Sequence, residues 1–223
     1  MACRYLAVAS RQESCRGVAC GRASESLYFG VSNLRNPCTD ESILRFSTRM
    51  TDLQYPIGKF DHHGLISDDE LDEWIRQIEI LPEDMSRTVG GLTPEQLNTP
   101  YRPGGWTIRQ VVHHVPDSHL NSYVRFKWAL TEDEPLIKTY DEQRWAMLAD
   151  YDVLPVEVSL QFLALLHAKW VTLLRSLTRE QLARRFVHPA SGPIELAWSV
   201  GEYAWHGRHH LAHITSAVTR GFS

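Results

Sequence analysis

Residues 197–219 read AWSVGEYAWHGRHHLAHITSAVT, a stretch that combines a helical apolar stripe with closely spaced histidines. Apolar side chains recur in it at the three- and four-residue spacing of one face of an α-helix. The stripe consists of Val200, Tyr203, Leu211, Ile214 and Val218. An amphipathic helix of this kind buries its apolar face against other elements. The stretch therefore predicts a long packing helix that also carries four histidines, namely His206, His209, His210 and His213.

Three more amphipathic segments precede this helix and carry the signals that start helices. The first opens on a capping box from Ser67 to Glu70 and contains Pro82, which should kink it or end it before Gly90-Gly91. The three segments cover residues 67–89, about 107–130 and 156–175. Four long amphipathic helices predict an all-α fold in the form of a four-helix bundle.

A short internal repeat divides the helices into two halves. The segments LTPEQL (92–97) and LTREQL (177–182) are both capping boxes, and each stands between two long helices. Strand signals are confined to a small hairpin, with residues 186–187 and 194–196 on either side of a turn. Residues 131–154 form a long crossover, so a simple up-down-up-down order does not follow from the sequence.

The cysteines separate the start of the chain from the rest. All four lie in the first 38 residues, and the other 185 residues contain none. A disulfide framework or a cysteine-ligated zinc core is therefore excluded for the main body of the chain. Residues 1–49 contain seven arginines, no lysine and no sustained apolar period. We expect a disordered or artefactual leader there, translated from a start codon upstream of Met50, and a helical domain over residues 50–223.

Composition restricts the kind of partner. The formal net charge is −4, whereas a protein that binds nucleic acid needs a basic face. No apolar run approaches the roughly 18 residues that span a bilayer. We therefore expect a cytoplasmic protein that acts on a small-molecule substrate, with neither a nucleic-acid nor a membrane partner.

The histidines of the last helix share one sector of a helical wheel. With His206 at 0° and about 100° per residue, His210 lies near about +40°, His213 near about −20° and His209 near about −60°. The apolar stripe centres near about +100°, so His206 and His210 lie closest to the bundle interior and His209 lies nearly opposite it. A pair at i and i+4 on one face can place two imidazoles on one metal ion.

A third ligand should come from another helix, and the second helix offers His113, His114 and His119. His119 lies on the apolar stripe of that helix, as a core histidine would. His114 shares a polar line with Ser118, Asn121 and Arg125, and polar lines on bundle helices usually face solvent. The residues alone therefore favour His114 only slightly over His113.

Three imidazoles without a cysteine leave one position of a tetrahedral metal open to water, which is the pattern of catalytic zinc sites. Imidazole also suits nickel, copper and iron, so the residues alone leave the metal undetermined. We find no Ser-His-Asp or Cys-His arrangement and no Gly-rich phosphate loop, so the metal must supply the chemistry and the catalytic residue stays unknown. Asp117, Asn121 and Arg208 are candidates for orienting a ligand or binding an anionic substrate.

Three segments resemble the DinB/YfiT superfamily. They are PGGWTIRQVVHH (103–114), DSHLNSY (117–123) and YAWHGRHH (203–210). The resemblance covers about residues 55–219 and is quite specific to the YfiT branch, whose members are described as metal-dependent hydrolases and are related to bacillithiol transferases. It does not extend to residues 1–49.

The resemblance implies a four-helix bundle of unusual topology, usually a homodimer, in which three histidines hold one zinc or nickel ion. The first ligand of the family precedes an apolar residue and then, two positions later, an aspartate. This pattern corresponds to His114, Val115 and Asp117. The HxxxH pair of the family corresponds to His206 and His210. The implied metal ligands are therefore His114, His206 and His210.

Three functions are consistent with such a site. In a metal-dependent hydrolase, the metal lowers the pKa of its water and delivers hydroxide to a polarised bond. In a thiol S-transferase of the bacillithiol type, the open position binds a small thiol as its thiolate, which then attacks an electrophile. In a non-catalytic bundle, the metal is only sensed or stored. The hydrolase comes first because it is the usual description of the family, although the transferase needs the same ligands.

Overall fold

The structure is a computed structural model that describes residues 53–222, so the predicted leader over residues 1–49 lies outside the described part. The long helices are α1 (Asp68–Val89), α3 (Ile108–Thr131), α6 (Val156–Arg175) and α8 (Leu196–Thr219). Shorter helices are α2 (Pro94–Leu97), α4 (Glu142–Trp145), α5 (Ala149–Val153) and α7 (Arg179–Leu182). Strands β1 (Arg185–His188) and β2 (Gly192–Glu195) pair antiparallel. Within the described residues, no helix is both long and apolar enough to cross a membrane.

Side-chain caps fix where the helices begin. Helices α1, α2, α3 and α7 each open on a capping box, in which a Ser or Thr hydroxyl accepts from the backbone of a Glu or Gln three residues later. The predicted boundaries of the four long helices are confirmed to within a residue or two. Pro82 does not end α1, because its missing N–H affects only the carbonyl of Ile78, and that oxygen accepts a hydrogen bond from His167 at 2.6 Å.

The four long helices form a bundle of unusual connectivity. Helix α1 packs against α6 and α8, and α3 packs against the same two. The diagonally opposed helices are therefore α1 with α3 and α6 with α8, and the two helices of each pair follow one another in the order of the long helices. Helices α3 and α6 run parallel, because His113 contacts Ser159 near their starts and Phe126 contacts Trp170 further along both. The predicted four-helix bundle, with two helix–short helix–helix halves, is confirmed.

The parallel direction of α3 and α6 obliges the chain to return along the length of the bundle. Helix α3 has 24 residues, a length of about 36 Å. Residues 132–155 make the return and contain α4 and α5, so the predicted long crossover is confirmed.

The crossover packs over the outer face of α3. The side chain of Gln110 donates to the carbonyl of Ala146 at 3.0 Å, which ties the two segments together.

The polar line of α3 faces α8 instead of solvent. Nε2 of His114 lies 3.4 Å from Nε2 of His206, and the guanidinium of Arg125 donates to the hydroxyl of Tyr203 at 3.5 Å. Ser118 and Arg125 are at most 4% exposed. The usual rule that polar lines on bundle helices face solvent does not hold here, because the wheel of a single helix does not show that the facing helix also carries polar side chains.

The interior consists of two apolar clusters with a layer of imidazoles between them. One cluster contains Ile78, Phe126, Trp170 and Val200, and the other contains Met85, Val111, Leu163 and Ile214. Nine of the eleven histidines are buried. Because histidine is polar, so many in an interior need partners for their ring nitrogens.

Helices α1 and α8 approach closely where α8 has glycine instead of a side chain. A Cβ atom added at Gly201 would lie 2.8 Å from ring atoms of both Phe60 and Trp74, and one added at Gly207 would overlap the side chain of Leu81. Helix α1 is thereby held against α8, which carries four of the nine buried histidines.

We expect Gly201→Ala to lower the free energy of unfolding by about 1–3 kcal/mol, because two aromatic rings must move to admit the methyl group. Urea unfolding followed by circular dichroism measures the change. Thr215→Ala, at an exposed position of the same helix, is the matched control and should change stability by no more than about 0.5 kcal/mol. A Gly201→Ala protein as stable as the control would contradict the close contact.

Candidate metal centre

Three histidines from two helices converge in the buried layer. His114 lies on α3, and His206 and His210 lie one turn apart on α8. Their ligand nitrogens all lie within 4.8 Å of one another, and the Nε2 atoms of His114 and His206 are 3.4 Å apart. Each side chain is at most 5% exposed. The structure therefore brings together the three histidines that the resemblance implies as ligands.

The spacing and the unmet hydrogen-bonding capacity of these side chains fit a metal ion. In a tetrahedral site with nitrogens about 2.1 Å from zinc, two ligand nitrogens lie about 3.4 Å apart. Both ring nitrogens of His210 and Nδ1 of His114 are buried without a hydrogen-bond partner among the described residues. A buried polar atom without a partner costs free energy, and coordination would satisfy one of the two on His210. Three imidazoles suit zinc, nickel and other divalent transition metals.

Burial keeps these imidazoles neutral. Desolvation lowers the pKa of His114 to about 3, and it lowers the pKa of His206 and of His210 well below the ordinary value of 6.5. A protonated imidazole offers no lone pair to a metal ion. All three side chains are therefore in the form that can coordinate metal at neutral pH.

A cavity of about 110 Å³ leads to two of these histidines, His114 and His210. Trp106, in the loop before α3, packs over them, with its ring centroid 4.7 Å from that of His114. The indole Nε1 of Trp106 donates to the side chain of Gln143 at 3.1 Å, which connects this loop to the start of α4. A small molecule entering the cavity would meet the exposed edge of the three-histidine cluster.

Glu142 also lines this cavity. It is the first residue of α4 and is half-buried, and burial raises its pKa above the ordinary value of 4.5. No local motif in the sequence marks Glu142, because its position at the cavity depends on the path of the crossover.

A sequence model of the DinB superfamily matches residues 77–214, a span that contains His114, His206 and His210. The chain belongs to the DinB superfamily. The resemblance noted for residues 103–123 and 203–210 is thereby confirmed.

Relatives within the DinB superfamily are similar over most of the chain. A protein of Bacillus mycoides strain KBAB4 is 56% identical over 171 residues, which are 77% of this chain and 98% of the relative. A protein of Bacillus anthracis matches with the same identity and the same coverage. The names of both proteins describe them provisionally as metal-dependent hydrolases.

A solved structure has the same architecture. YfiT from Bacillus subtilis is described as a probable metal-dependent hydrolase with an unusual four-helix bundle topology. It is 46% identical, with a TM-score of 0.74, and the match covers 77% of this chain and 99% of that one. The connectivity derived above for α1, α3, α6 and α8 is thus that of a known DinB-superfamily bundle.

His113, the other candidate on α3, points away from the three-histidine cluster. Its Nδ1 lies 2.7 Å from the hydroxyl of Ser159, and its ring packs beside that of Tyr151. Adjacent residues on a helix differ by about 100° in direction, so only one of His113 and His114 can face α8. In the structure, His114 faces α8 and His113 faces α6.

The three further candidates, Asp117, Asn121 and Arg208, make contacts other than with the three histidines. The carboxylate of Asp117 accepts a hydrogen bond from the hydroxyl of Tyr151 at 2.8 Å. The amide of Asn121 donates to the backbone carbonyl of Asp117 at 2.9 Å. Arg208 is exposed, with its charge near Glu73. Asp117 therefore connects α3 to the crossover, and Arg208 lies on the outer surface of α8. These contacts do not place any of the three residues against a histidine of the cluster.

His209 lies in a buried position, and our expectation that it lies nearly opposite the interior was incomplete. It is 1% exposed, and its ring stacks on Trp205 at a centroid distance of 4.6 Å. Residues 53–58 cross this face of α8, where the indole of Trp205 donates to the carbonyl of Gly58 at 3.1 Å. The helical wheel locates the bundle interior correctly, but it does not show that this segment covers the opposite side.

Replacement of His114 and of His113 separates the two candidates on α3. We expect His114→Ala protein to lose most of its bound transition metal, because two imidazoles from one helix remain of three ligands. His113→Ala is the matched control and should retain about one metal ion per chain, because its imidazole bonds to Ser159 instead. Elemental mass spectrometry of the purified proteins measures the metal. Equal metal in the two variants would contradict the assignment.

Proposed function

We propose that the chain is a metal-dependent hydrolase whose metal is held by His114, His206 and His210. The observation that carries this proposal is the convergence of three buried, neutral imidazoles next to a cavity. They are the only such group of potential ligands among the described residues. Three protein ligands with access from a cavity are typical of catalytic sites, whereas structural zinc sites are closed by four.

A divalent metal bound there would supply Lewis acidity, which lowers the pKa of a water and polarises the bond to be cleaved. The chain's own contribution is to hold the ligands and to restrict the cavity. Trp106 shields His114 on one side, and the small volume of about 110 Å³ excludes most bulk water. Interactions with charge developing in the reaction are stronger in such a partly dehydrated space.

Glu142 is the residue that we propose for proton transfer. Glu142 lines the cavity, and the raised pKa of its carboxyl group is closer to the range in which a carboxyl group exchanges protons efficiently at neutral pH. A carboxylate at this place can accept a proton from the attacking water and return it to the leaving group.

For the metal itself we propose zinc, with nickel as the alternative, because both accept imidazole and the 3.4 Å spacing suits a tetrahedral ion. We also propose a cytoplasmic homodimer acting on a small molecule. Light scattering of the purified protein tests the dimer, and metal analysis of protein from cells grown without added metal tests the zinc assignment.

The reaction type is tested with two substrate panels. Zinc-loaded protein is incubated with activated esters, amides and phosphate esters in one arm, and with a small thiol and a chloro-aromatic acceptor in the other. Metal-dependent hydrolysis in the first arm supports the proposal. Thioether formation in the second arm, without hydrolysis in the first, would show a thiol S-transferase instead.

We expect Glu142→Gln to lower kcat for the hydrolysed substrate by about 10²–10⁴-fold, because the amide cannot accept a proton. Its metal content should stay unchanged, since Glu142 is not among the three ligands. Glu157→Gln removes the same charge at an exposed position and should keep the wild-type kcat. A Glu142→Gln enzyme as active as this control would exclude Glu142 from proton transfer.

A further inference from the structure

Behind the three-histidine cluster, two more histidines connect His206 to the backbone of α1. Nδ1 of His206 lies 3.1 Å from Nε2 of His119, and Nδ1 of His119 lies 2.9 Å from Nε2 of His167. Nδ1 of His167 lies 2.6 Å from the carbonyl oxygen of Ile78. The three side chains are at most 2% exposed. This histidine chain, defined as His206, His119 and His167, joins α8, α3 and α6 to α1.

The carbonyl at the end of the histidine chain determines the direction of every hydrogen bond in it. A carbonyl oxygen can only accept, so Nδ1 of His167 carries a hydrogen and donates to Ile78. A neutral imidazole has one donor and one acceptor, so Nε2 of His167 accepts from Nδ1 of His119. By the same step, Nε2 of His119 accepts from Nδ1 of His206. Nε2 of His206 is then the nitrogen with the free lone pair.

That lone pair lies where a metal ligand is needed. Nε2 of His206 is the atom 3.4 Å from Nε2 of His114. In the opposite tautomer, Nε2 would carry a hydrogen, and it could not coordinate a metal ion. The direction set at Ile78 is therefore the one that makes His206 a competent ligand.

Pro82 explains why this carbonyl is available. In a regular helix, the oxygen of Ile78 would accept from the N–H of residue 82, but proline has no N–H. Proline thus removes the usual donor and leaves the acceptor for His167. Aromatic rings limit alternative ring orientations in the chain: Trp170 and Tyr203 stand nearly perpendicular to His119, at centroid distances of 5.7 Å and 5.2 Å.

We propose that His119 and His167 are positioning residues that hold His206 as the Nδ1–H tautomer, with the lone pair of Nε2 directed at the metal. The inference deepens the proposed function, since it rests on His206 as a ligand. Metal-ligating histidines commonly donate their second N–H to a carboxylate, a backbone carbonyl or water. Here the N–H of His206 donates to His119, and the carbonyl of Ile78 on α1 sets the direction of that bond through His167.

Replacement of His167 tests the proposal with zinc alone as the probe. We expect His167→Leu to weaken zinc binding by about 10–100-fold, the usual effect of losing such an outer partner. His167→Gln should restore much of the affinity, because an amide can donate to Ile78 and accept from His119 at the same time. Competition with a chromophoric chelator measures the dissociation constants. His113→Leu removes a buried histidine outside the histidine chain and should bind zinc as the wild type does.

Nuclear magnetic resonance of 15N-labelled histidine shows which ring nitrogen of His206 carries the hydrogen. This property would not change if His167 only supported the fold. In the wild-type protein, the hydrogen of His206 should be on Nδ1, and in His167→Leu protein the signals of both tautomers should appear. A hydrogen on Nε2 of His206 in the wild type, or unchanged zinc affinity in folded His167→Leu protein, would overturn the proposal. If His167→Leu fails to fold, the wild-type tautomer and the His167→Gln affinity decide.

The outcomes also separate this inference from the proposed function. Zinc binding with the expected tautomer, but no hydrolysis of any substrate, would overturn the hydrolase and support the positioning role. Hydrolysis by a protein whose His206 carries hydrogen on Nε2 would overturn the positioning role and support the hydrolase.

Discussion

The structure depends on one constraint, which is the cost of burying imidazole rings in the middle of a helical bundle. Each buried ring nitrogen needs a partner, and each ring must be neutral because a charge there would be desolvated. Neutrality is ensured by desolvation, which lowers the pKa of His114, His206 and His210. Partners for the ring nitrogens are supplied partly by other histidines and partly, we propose, by a metal ion. The same burial that makes the layer costly therefore makes it a competent ligand set.

The topology of the bundle turns this layer into a site with an entrance. Because α3 and α6 are parallel neighbours, residues 132–155 must run back along the bundle, and they cover the outer face of α3. That return path brings Glu142 to the cavity above His114. The three histidines of the cluster thus lie on helices. Glu142 and Gln143 of the cavity belong to the crossover, and the other lining residues that are not histidines lie at residues 54–55 and 101–106. The cavity is therefore lined mostly by connecting segments, which vary more in sequence than the elements they join.

Much of this arrangement could be predicted from local signals, and the rest depends on tertiary packing. Capping boxes such as Ser67 to Glu70 set helix boundaries because they are complete within four residues. The pair His206 and His210 follows from helical spacing alone, whereas the choice of His114 needed the family resemblance. Burial of His209 and the contacts of His167 could not be predicted, since both depend on segments distant in sequence, namely residues 53–58 and the carbonyl of Ile78.

The imidazole layer lies in the middle of the bundle, between the two apolar clusters. Each long helix contributes to both clusters and runs through the layer between them. A ligand that binds only the native state stabilises it, and the effect grows with the logarithm of the ligand concentration over its dissociation constant. A metal ion held by the proposed ligands would join α3 to α8 and would therefore stabilise the folded bundle as well as supply chemistry.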